Sequence, residues 1–292
     1  MAKGKPTGIS ERLTWHDSDH LQIGNTTFVL TLEQATADAI DSTPERFLLM
    51  KSQFLVESTL ERLPERVENM IELGIYKAGS IAMYEELFSP TRLVGVDRLT
   101  DRVGALDEYL HQRSATERVK LYYGTDQEDR RALTSIAREN FGDRCLDLVV
   151  DDCSHLYEPT KTSLNVFLPL LRPGGIYLIE DWGWAHWLEK TEQYNQTFAN
   201  EEIPLAKLIL ELVMLSATNP YIIRNVFIDS SRIFITRARD DITDEEFDVS
   251  KAYSTSLWSM DFSAKASPDG HSSNIQPGRQ RRRVPLFRRT LK

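Results

Sequence analysis

Only two of the 292 residues are cysteine, Cys145 and Cys153. They flank one apolar stretch, and as the two ends of a strand they would stand far beyond bridging distance. Both therefore read as reduced thiols, which leaves a disulfide framework and a zinc site unsupported. Long apolar runs are missing as well: none approaches the ~18 residues needed to cross a bilayer, so no membrane partner is expected. The lysines of Met1 to Pro6 have no apolar segment behind them, so a secretory leader is not expected and the cytoplasm is the expected compartment. Positive charge is scarce over most of the chain. The formal net charge is −9, but seven Lys or Arg lie between Arg279 and Lys292 without an acid, leaving 28 basic against 44 acidic residues elsewhere. A body this acidic disfavours nucleic acid as a partner. Several nucleotide and hydrolase fingerprints are absent too. Gly74 and Gly79 do not fit G-x-G-x-x-G, no Gly-Lys-Ser/Thr follows, and Ser154-His155 lacks the glycine-flanked elbow of a hydrolase nucleophile.

What is present is an alternation of apolar strands and amphipathic helices. Residues 1 to about 20 read as polar and irregular. A short hairpin follows over 21–30 with Gly24-Asn25 as its turn, then a helix near Leu32 to Ile40. From Thr43-Pro44-Glu45 the spacing of Phe47, Leu48, Phe54, Leu55 and Leu60 predicts a helix closed by Pro64. Strands are expected at Val67–Leu73, Arg92–Val96, Val119–Tyr123, Leu146–Val150 and Ile176–Ile179. Helices are expected at Ser80–Leu87, Val103–Gln112, Asp129–Asn140 and Tyr157–Leu171, and the Pro173-Gly174-Gly175 turn announces the fifth strand. Repeated βα units of this kind imply an α/β fold with a parallel sheet covered on both faces. A helix at Pro204–Ser216 precedes 221–228 and 232–236, two strands joined so tightly by Asp229-Ser230-Ser231 that they must pair antiparallel. The expected division is an N-terminal extension over 1–45, serving as lid or oligomerisation arm, a catalytic domain over 46–240, and a partly disordered C-terminal extension over 241–292 with a basic tail.

Polar residues just after buried parallel strands land at the carboxyl edge of the sheet, where open α/β folds hold ligands. Asp151-Asp152-Cys153-Ser154-His155 follows one such strand and Glu180-Asp181 ends the next. Three carboxylates and one histidine converging there suit a hard cation and a general base. Taken singly, the same residues also fit blander roles: a hydrogen-bonded structural histidine, or adjacent acids that cap the following segment. Ile71 to Ser80 reads as strand, glycine-bearing loop and helix start, a place where backbone N–H groups meet an anion. Asp97 stands about 20 residues beyond, where an acid accepts from ribose hydroxyls. A tight βα turn followed by a surface aspartate would look the same. Trp182, Trp184 and Trp187 could wall an acceptor site or pack as an amphipathic turn. The roles of Lys77 and His186 are open.

A parallel sheet that finishes in an antiparallel hairpin resembles a Rossmann-like class I S-adenosylmethionine-dependent methyltransferase with seven strands. Read together, Glu72 to Ser80, Val94-Gly95-Val96-Asp97, Gly124-Thr125-Asp126-Gln127, Asp151 to His155 and Pro173 to Asp181 resemble the macrocin and mycinamicin sugar O-methyltransferases. These metal-dependent enzymes of antibiotic and natural-product tailoring are related to the group called cephalosporin hydroxylases. The similarity covers about residues 67 to 185. Ala78 replaces one of the family's usual glycines, and Cys153 stands where glycine is common. The resemblance implies that Asp152, Glu180 and Asp181 bind Mg²⁺ and that His155 is the base. It also implies that Glu72, Gly74, Tyr76, Gly79, Ser80, Asp97, Asp126, Gln127 and Asp151 line the S-adenosylmethionine site. The implied partner is a small-molecule acceptor, a sugar hydroxyl of a secondary metabolite, and related enzymes suggest a homo-oligomer. Two alternatives stand beside this reading. One is a metal-dependent catechol or phenol O-methyltransferase. The other is a methyltransferase-fold module without turnover that organises a biosynthetic complex.

Overall fold

A computed structural model of the chain describes residues 8–142, 146–183, 203–239, 242 and 247–253. Two sheets carry the architecture. The smaller has the order β1 (Leu13–Trp15), β2 (His20–Ile23), β3 (Thr26–Leu30), β4 (Arg46–Leu49). Strands β2 and β3 form the expected hairpin, pairing Ile23 with Thr26 across Gly24, which sits at φ +57°. Their burial alternates, so one face of this sheet packs and the other meets solvent. Helix α1 (Gln34–Ala39) crosses over to β4, which lies parallel to β3.

The expected helix through Phe47 and Leu48 is therefore wrong at its start: that run is strand, and α2 (Gln53–Leu60) begins only afterwards. Phe47, Leu48 and Leu49 are each at most 2% exposed. Three successive buried apolar residues fit a strand covered on both faces better than one stripe of a helix, and pairing with β3 overrides the local spacing. Ser52 then starts α2, its hydroxyl accepting from the Leu55 N–H at 3.3 Å. Leu13–Trp15, expected to be irregular, is the strand that closes the small sheet against β2.

The larger sheet is built from β5 (Asn69–Leu73), β6 (Arg92–Asp97), β7 (Val119–Tyr123), β8 (Leu146–Asp151), β9 (Leu171–Glu180), β10 (Ile223–Ile228) and β11 (Arg232–Arg237). Its order is β10-β11-β9-β8-β5-β6-β7, parallel throughout except for β11, which is antiparallel to both its neighbours. This is the expected α/β sheet, mostly parallel and finishing in an antiparallel hairpin. All six residues of β8 are buried, as a central strand covered on both faces requires. Pro173-Gly174-Gly175 lies inside β9 rather than before it, and the ladder with β8 absorbs it through a register shift between Leu146 and Leu148.

Two cores follow. Helices α3 (Gly79–Phe88) and α4 (Gly104–Gln112) share one with the small sheet, joining Phe28, Phe47 and Leu49 to Ile81, Met83 and Tyr109. On the other face α5 (Arg130–Phe141), α6 (Tyr157–Phe167) and α7 (Ala206–Thr218) bury Ile136, Leu164 and Leu212 against Val149, Tyr177 and Ile235. Helix α6 gives way to a 3-10 turn over Leu168–Leu170, where Pro169 removes a helical N–H. No helix among the described residues is long and apolar enough to cross a membrane. Cys145, Trp184, His186, Trp187 and the basic tail lie outside the described residues.

Candidate functional site

The chain runs outward through β5, β6 and β7, then returns to place β8 on the other side of β5. Strand order reverses at the carboxyl ends of β5 and β8, the place where open α/β folds hold their ligands. Leu73 ends β5, and its carbonyl accepts from the Asp152 N–H at 2.9 Å. Gly74, at φ +101°, passes so close that a Cβ would meet the Asp152 carbonyl oxygen at 2.0 Å. The glycine loop and the acidic loop thus form one wall.

Within the glycine loop, Tyr76 (φ +46°) and Ala78 (φ +69°) adopt left-handed backbone that side chains rarely tolerate. Asp97 holds this shape: its Oδ2 accepts from the N–H groups of Ile75 (2.7 Å) and Tyr76 (3.0 Å), and its Oδ1 from Leu99 (2.8 Å). Expected from the sequence to accept from ribose, Asp97 here braces the loop. Gly79 opens α3 against the small sheet, where a Cβ would stand 1.8 Å from the Leu48 carbonyl oxygen. The first-turn N–H groups of α3, from Gly79 and Ser80 onward, thereby face the loop without intrahelical partners. Tyr76 is 43% exposed at the rim, its hydroxyl bonded to Gln34 at 3.3 Å. Lys77 is structural. Its ammonium donates to the carbonyls of Ala37 and Ile40, both at 2.7 Å, and caps the end of α1.

On the acidic side, one ligand atom each from Asp152, His155 and Asp181 lies within 4.8 Å of the others. His155 (φ +56°) and Asp181 (φ +53°) both sit in left-handed backbone. Such strain costs on the order of 1–3 kcal/mol per residue and collects at functional positions. His155 Nδ1 lies 3.3 Å from the Glu180 carbonyl oxygen. With the proton on Nδ1 donated there, the ring's lone pair falls on Nε2.

Glu180, expected with the metal ligands, stands beside Lys51. Its Oε2 accepts from the Lys51 ammonium, which also reaches Asp152 Oδ2 at 3.0 Å. Lys51 is 7% exposed. Burial opposes its charge, but Asp152 and Glu180 outweigh that and raise its pKa well above the ordinary value, so it is a permanent ammonium. One cation shared by two buried acids does not compensate both. Burial is overcome at Asp152, which Lys51 and His155 hold below the usual value, whereas burial and the neighbouring Asp152 push Glu180 up to about 7. Glu72 is fully buried beside them; burial and the Asp152 and Glu180 charges raise its pKa well, against the Ser80 hydroxyl and Lys51.

Below the crevice a buried network joins the strands. Gln127 Nε2 donates to both Asp151 oxygens (2.7 and 2.9 Å) and to Ser163 Oγ, while its Oε1 accepts from the Ser154 hydroxyl at 2.6 Å. Tyr177 and Ser163 also donate to Asp151, at 2.9 and 2.8 Å. Burial nevertheless pushes Asp151 up to about 6. Gln127 and Asp151, expected among cofactor contacts, therefore work as a truss that ties the 126–127 loop to the His155 loop. Asp126 is exposed and accepts from the Glu128 N–H at 2.9 Å. Trp182 is anchored, its Nε1 donating to the Asp229 carbonyl at 2.8 Å, which matches the packing role.

Sequence reasoning missed Lys51, Ser163 and Tyr177. The signal for Lys51 was a single basic residue closing the apolar run Phe47-Leu48-Leu49-Met50, the position of a strand-end residue.

Residues 71–182 match the family described as a methyltransferase domain. Among curated proteins the chain is 31% identical over 125 residues to demethylmacrocin O-methyltransferase of Streptomyces fradiae. It is 34% identical over 125 residues to mycinamicin VI 2''-O-methyltransferase of Micromonospora griseorubida. Each match covers 40% of this chain and 28% of the relative, so the chain spans little more than a quarter of the curated relatives it matches. Among solved structures, a methyltransferase of the mycinamycin biosynthetic pathway in complex with Mg, SAH and mycinamycin VI is similar over 67% of this chain and 51% of its own. That similarity has a TM-score of 0.47 and 21% identity.

Proposed function

We propose that the chain is an S-adenosylmethionine- and Mg²⁺-dependent O-methyltransferase whose acceptor is a sugar hydroxyl on a secondary metabolite, as the names of the curated relatives suggest. The observation that carries the reading is the meeting of Asp152, His155 and Asp181 at the strand ends beside the glycine loop. The donors suit the ion. Their 4.8 Å span is slightly wider than the roughly 4.2 Å across an octahedral ion with bonds of about 2.1 Å, so small side-chain shifts close it. The carboxylate oxygens of Asp152 and Asp181 suit Mg²⁺ better than a soft metal.

When bound, the divalent ion supplies a lowered hydroxyl pKa and a fixed oxygen position. The chain does the rest. Asp152, Glu180 and Asp181, at the ends of adjacent strands β8 and β9, would hold the ion. The glycine loop and the start of α3 would take the cofactor's carboxylate, and Glu72 and Asp97 fix that wall from inside. Nε2 of His155, its other nitrogen turned to the Glu180 carbonyl, would accept the acceptor hydroxyl's proton, while the bound cofactor would supply the methyl group from its sulfonium and leave as the neutral thioether. Residues 46–240 as catalytic domain, 1–45 as extension and a homo-oligomeric state belong to the same proposal.

The test is methyl transfer from S-adenosylmethionine to a panel of glycosylated macrolides and catechols, with EDTA and Mg²⁺ add-back. Transfer to the sugars alone, abolished by EDTA and restored by Mg²⁺, is the expected result. Transfer to catechols alone would move the acceptor class, and turnover unaffected by EDTA would remove the ion.

A further inference from the structure

We propose that Glu211, together with residues 247–253 that complete its hydrogen bonds, is a positioning residue for His155: it fixes the start of α6 and with it the strained turn that presents the imidazole. The inference rests on the functional reading above and concerns residues beyond the matched methyltransferase segment, which ends at residue 182.

Glu211 lies on α7 and is 2% exposed. The proposed reaction does not use this buried acid, yet hydroxyl groups converge on it from two directions. The Tyr157 hydroxyl donates from one side, 3.1 Å from Oε1 and 3.0 Å from Oε2. Ser250 and Tyr253 donate to Oε1 from the other, at 3.0 and 3.4 Å. A buried carboxylate is costly to leave unpaired, so these donors settle around it as a unit. The segment that brings Ser250 and Tyr253 is itself seated. Phe247 and Val249 are buried, the Val249 N–H donates to Asn165 Oδ1 on α6 at 2.8 Å, and Arg130 of α5 donates to the Phe247 carbonyl at 3.4 Å. Residues 247–253 follow the last strand and so tie α5, α6 and α7 together.

Tyr157 connects this cluster to the site. It opens α6, whose N-cap residue Leu156 supplies no side-chain hydrogen bond, so the buried Tyr157 side chain is what anchors the helix start. Only Asp152 to Leu156 separate it from the end of β8, a strand buried along its whole length. His155 stands in that turn at φ +56°. Left-handed backbone of this kind persists only where its surroundings over-determine it. The Ser154 bond to Gln127 fixes the turn on one side of His155, and Tyr157 on Glu211 fixes it on the other. With the second anchor gone, the start of α6 shifts and the ring leaves the Glu180 carbonyl, the contact that keeps Nε2 free to accept a proton. The glycine loop belongs to β5 and α3 and is untouched by that shift.

The experiment is methyl transfer by the full chain from S-adenosylmethionine to the glycosylated macrolides, for the native protein, Tyr157→Phe, Glu211→Ala, Glu211→Gln and Ser250→Ala. Nitrogen-15 spectra of the histidine rings are recorded beside it at about pH 8, with His155 assigned by the signal lost in His155→Gln. Tyr157→Phe keeps the buried ring and removes one hydroxyl. It is expected to lower kcat at least about tenfold with KM for S-adenosylmethionine within about twofold, because a displaced base slows the chemistry and leaves the cofactor loop alone. Glu211→Ala should fall equally far, whereas Glu211→Gln, which keeps an oxygen for Tyr157, should hold kcat within about threefold of native. Ser250→Ala leaves the helices intact and should lower kcat about threefold. The native spectrum should show one tautomer, with the proton on Nδ1, and that of Tyr157→Phe a mixture. Native kcat in Tyr157→Phe overturns the proposal, as do a KM that rises in step with the fall in kcat, a Glu211→Gln no better than Glu211→Ala, and an unchanged tautomer in Tyr157→Phe. Should Tyr157→Phe not fold, native kcat in Ser250→Ala overturns it. A native chain that transfers no methyl group overturns the functional reading, and the histidine spectra then decide the positioning of His155 by themselves.

Discussion

The Asp152 carbonyl oxygen occupies the space where a side chain on Gly74 would stand, 2.0 Å from an added Cβ. The loop proposed for the cofactor and the loop proposed for the cation are therefore in backbone contact, and neither can shift without the other. Gly74→Ala adds both this overlap and an unfavourable φ of +101°. A cost of about 2–4 kcal/mol is expected from overpacking and strain together. Denaturant titration measures it, and calorimetry with S-adenosylhomocysteine should show binding weakened in whatever fraction still folds.

Lys77 and Ala37 form a second such joint. Because the Lys77 ammonium caps α1 through three carbonyls, Lys77→Met should cost about 1–2 kcal/mol while leaving the large sheet intact. Hydrogen exchange should quicken across residues 34–39 and not in β8. An unchanged exchange pattern would remove Lys77 from this role.

Asp151 makes a prediction about pH. Its folded pKa, about 6, lies above the ordinary 3.8, so the folded state holds its proton more tightly than the unfolded chain. The stability this contributes is complete below pH about 4 and is lost as pH rises through 6. Each tenfold difference in proton affinity is worth about 1.4 kcal/mol, so the native protein should lose about 2 kcal/mol relative to Asp151→Asn between pH 4 and pH 7. Denaturation of the two proteins across that range gives the difference directly, and a constant difference would contradict the assignment.

Cys153 should be a poor nucleophile. Burial, reinforced by Asp151, Asp97 and Asp152, pushes its thiol well up. In a Cys145→Ser background, alkylation by iodoacetamide at pH 8 should be slow in the folded protein and fast in denaturant.

Much of this was legible in the sequence because buried parallel strands announce themselves as short apolar runs closed by polar residues. Leu146–Asp151 and the run ending at Glu180-Asp181 are read that way, and every strand of the large sheet was anticipated. The small sheet was half read. The hairpin over 21–30 shows in its alternation and turn, but Arg46–Leu49 is a strand only because β3 lies beside it, and spacing carries no trace of that neighbour. Lys51 was hidden for the same reason. The truss of Gln127, Asp151, Ser163 and Tyr177 was invisible because its members come from four elements, and nothing local marks a serine on α6 or a tyrosine on β9 as partners of Asp151.

The central claim is that one crevice holds a divalent ion at Asp152 and Asp181 beside a methyl donor seated on the glycine loop. Proton relaxation of the S-adenosylmethionine methyl group, recorded on the full chain with Mn²⁺ as the paramagnetic ion, tests both halves at once. The account predicts strong enhancement in the native protein and its disappearance in Asp152→Asn, with cofactor binding retained. A methyl signal that Mn²⁺ leaves unchanged, in a protein shown to bind both, would contradict it.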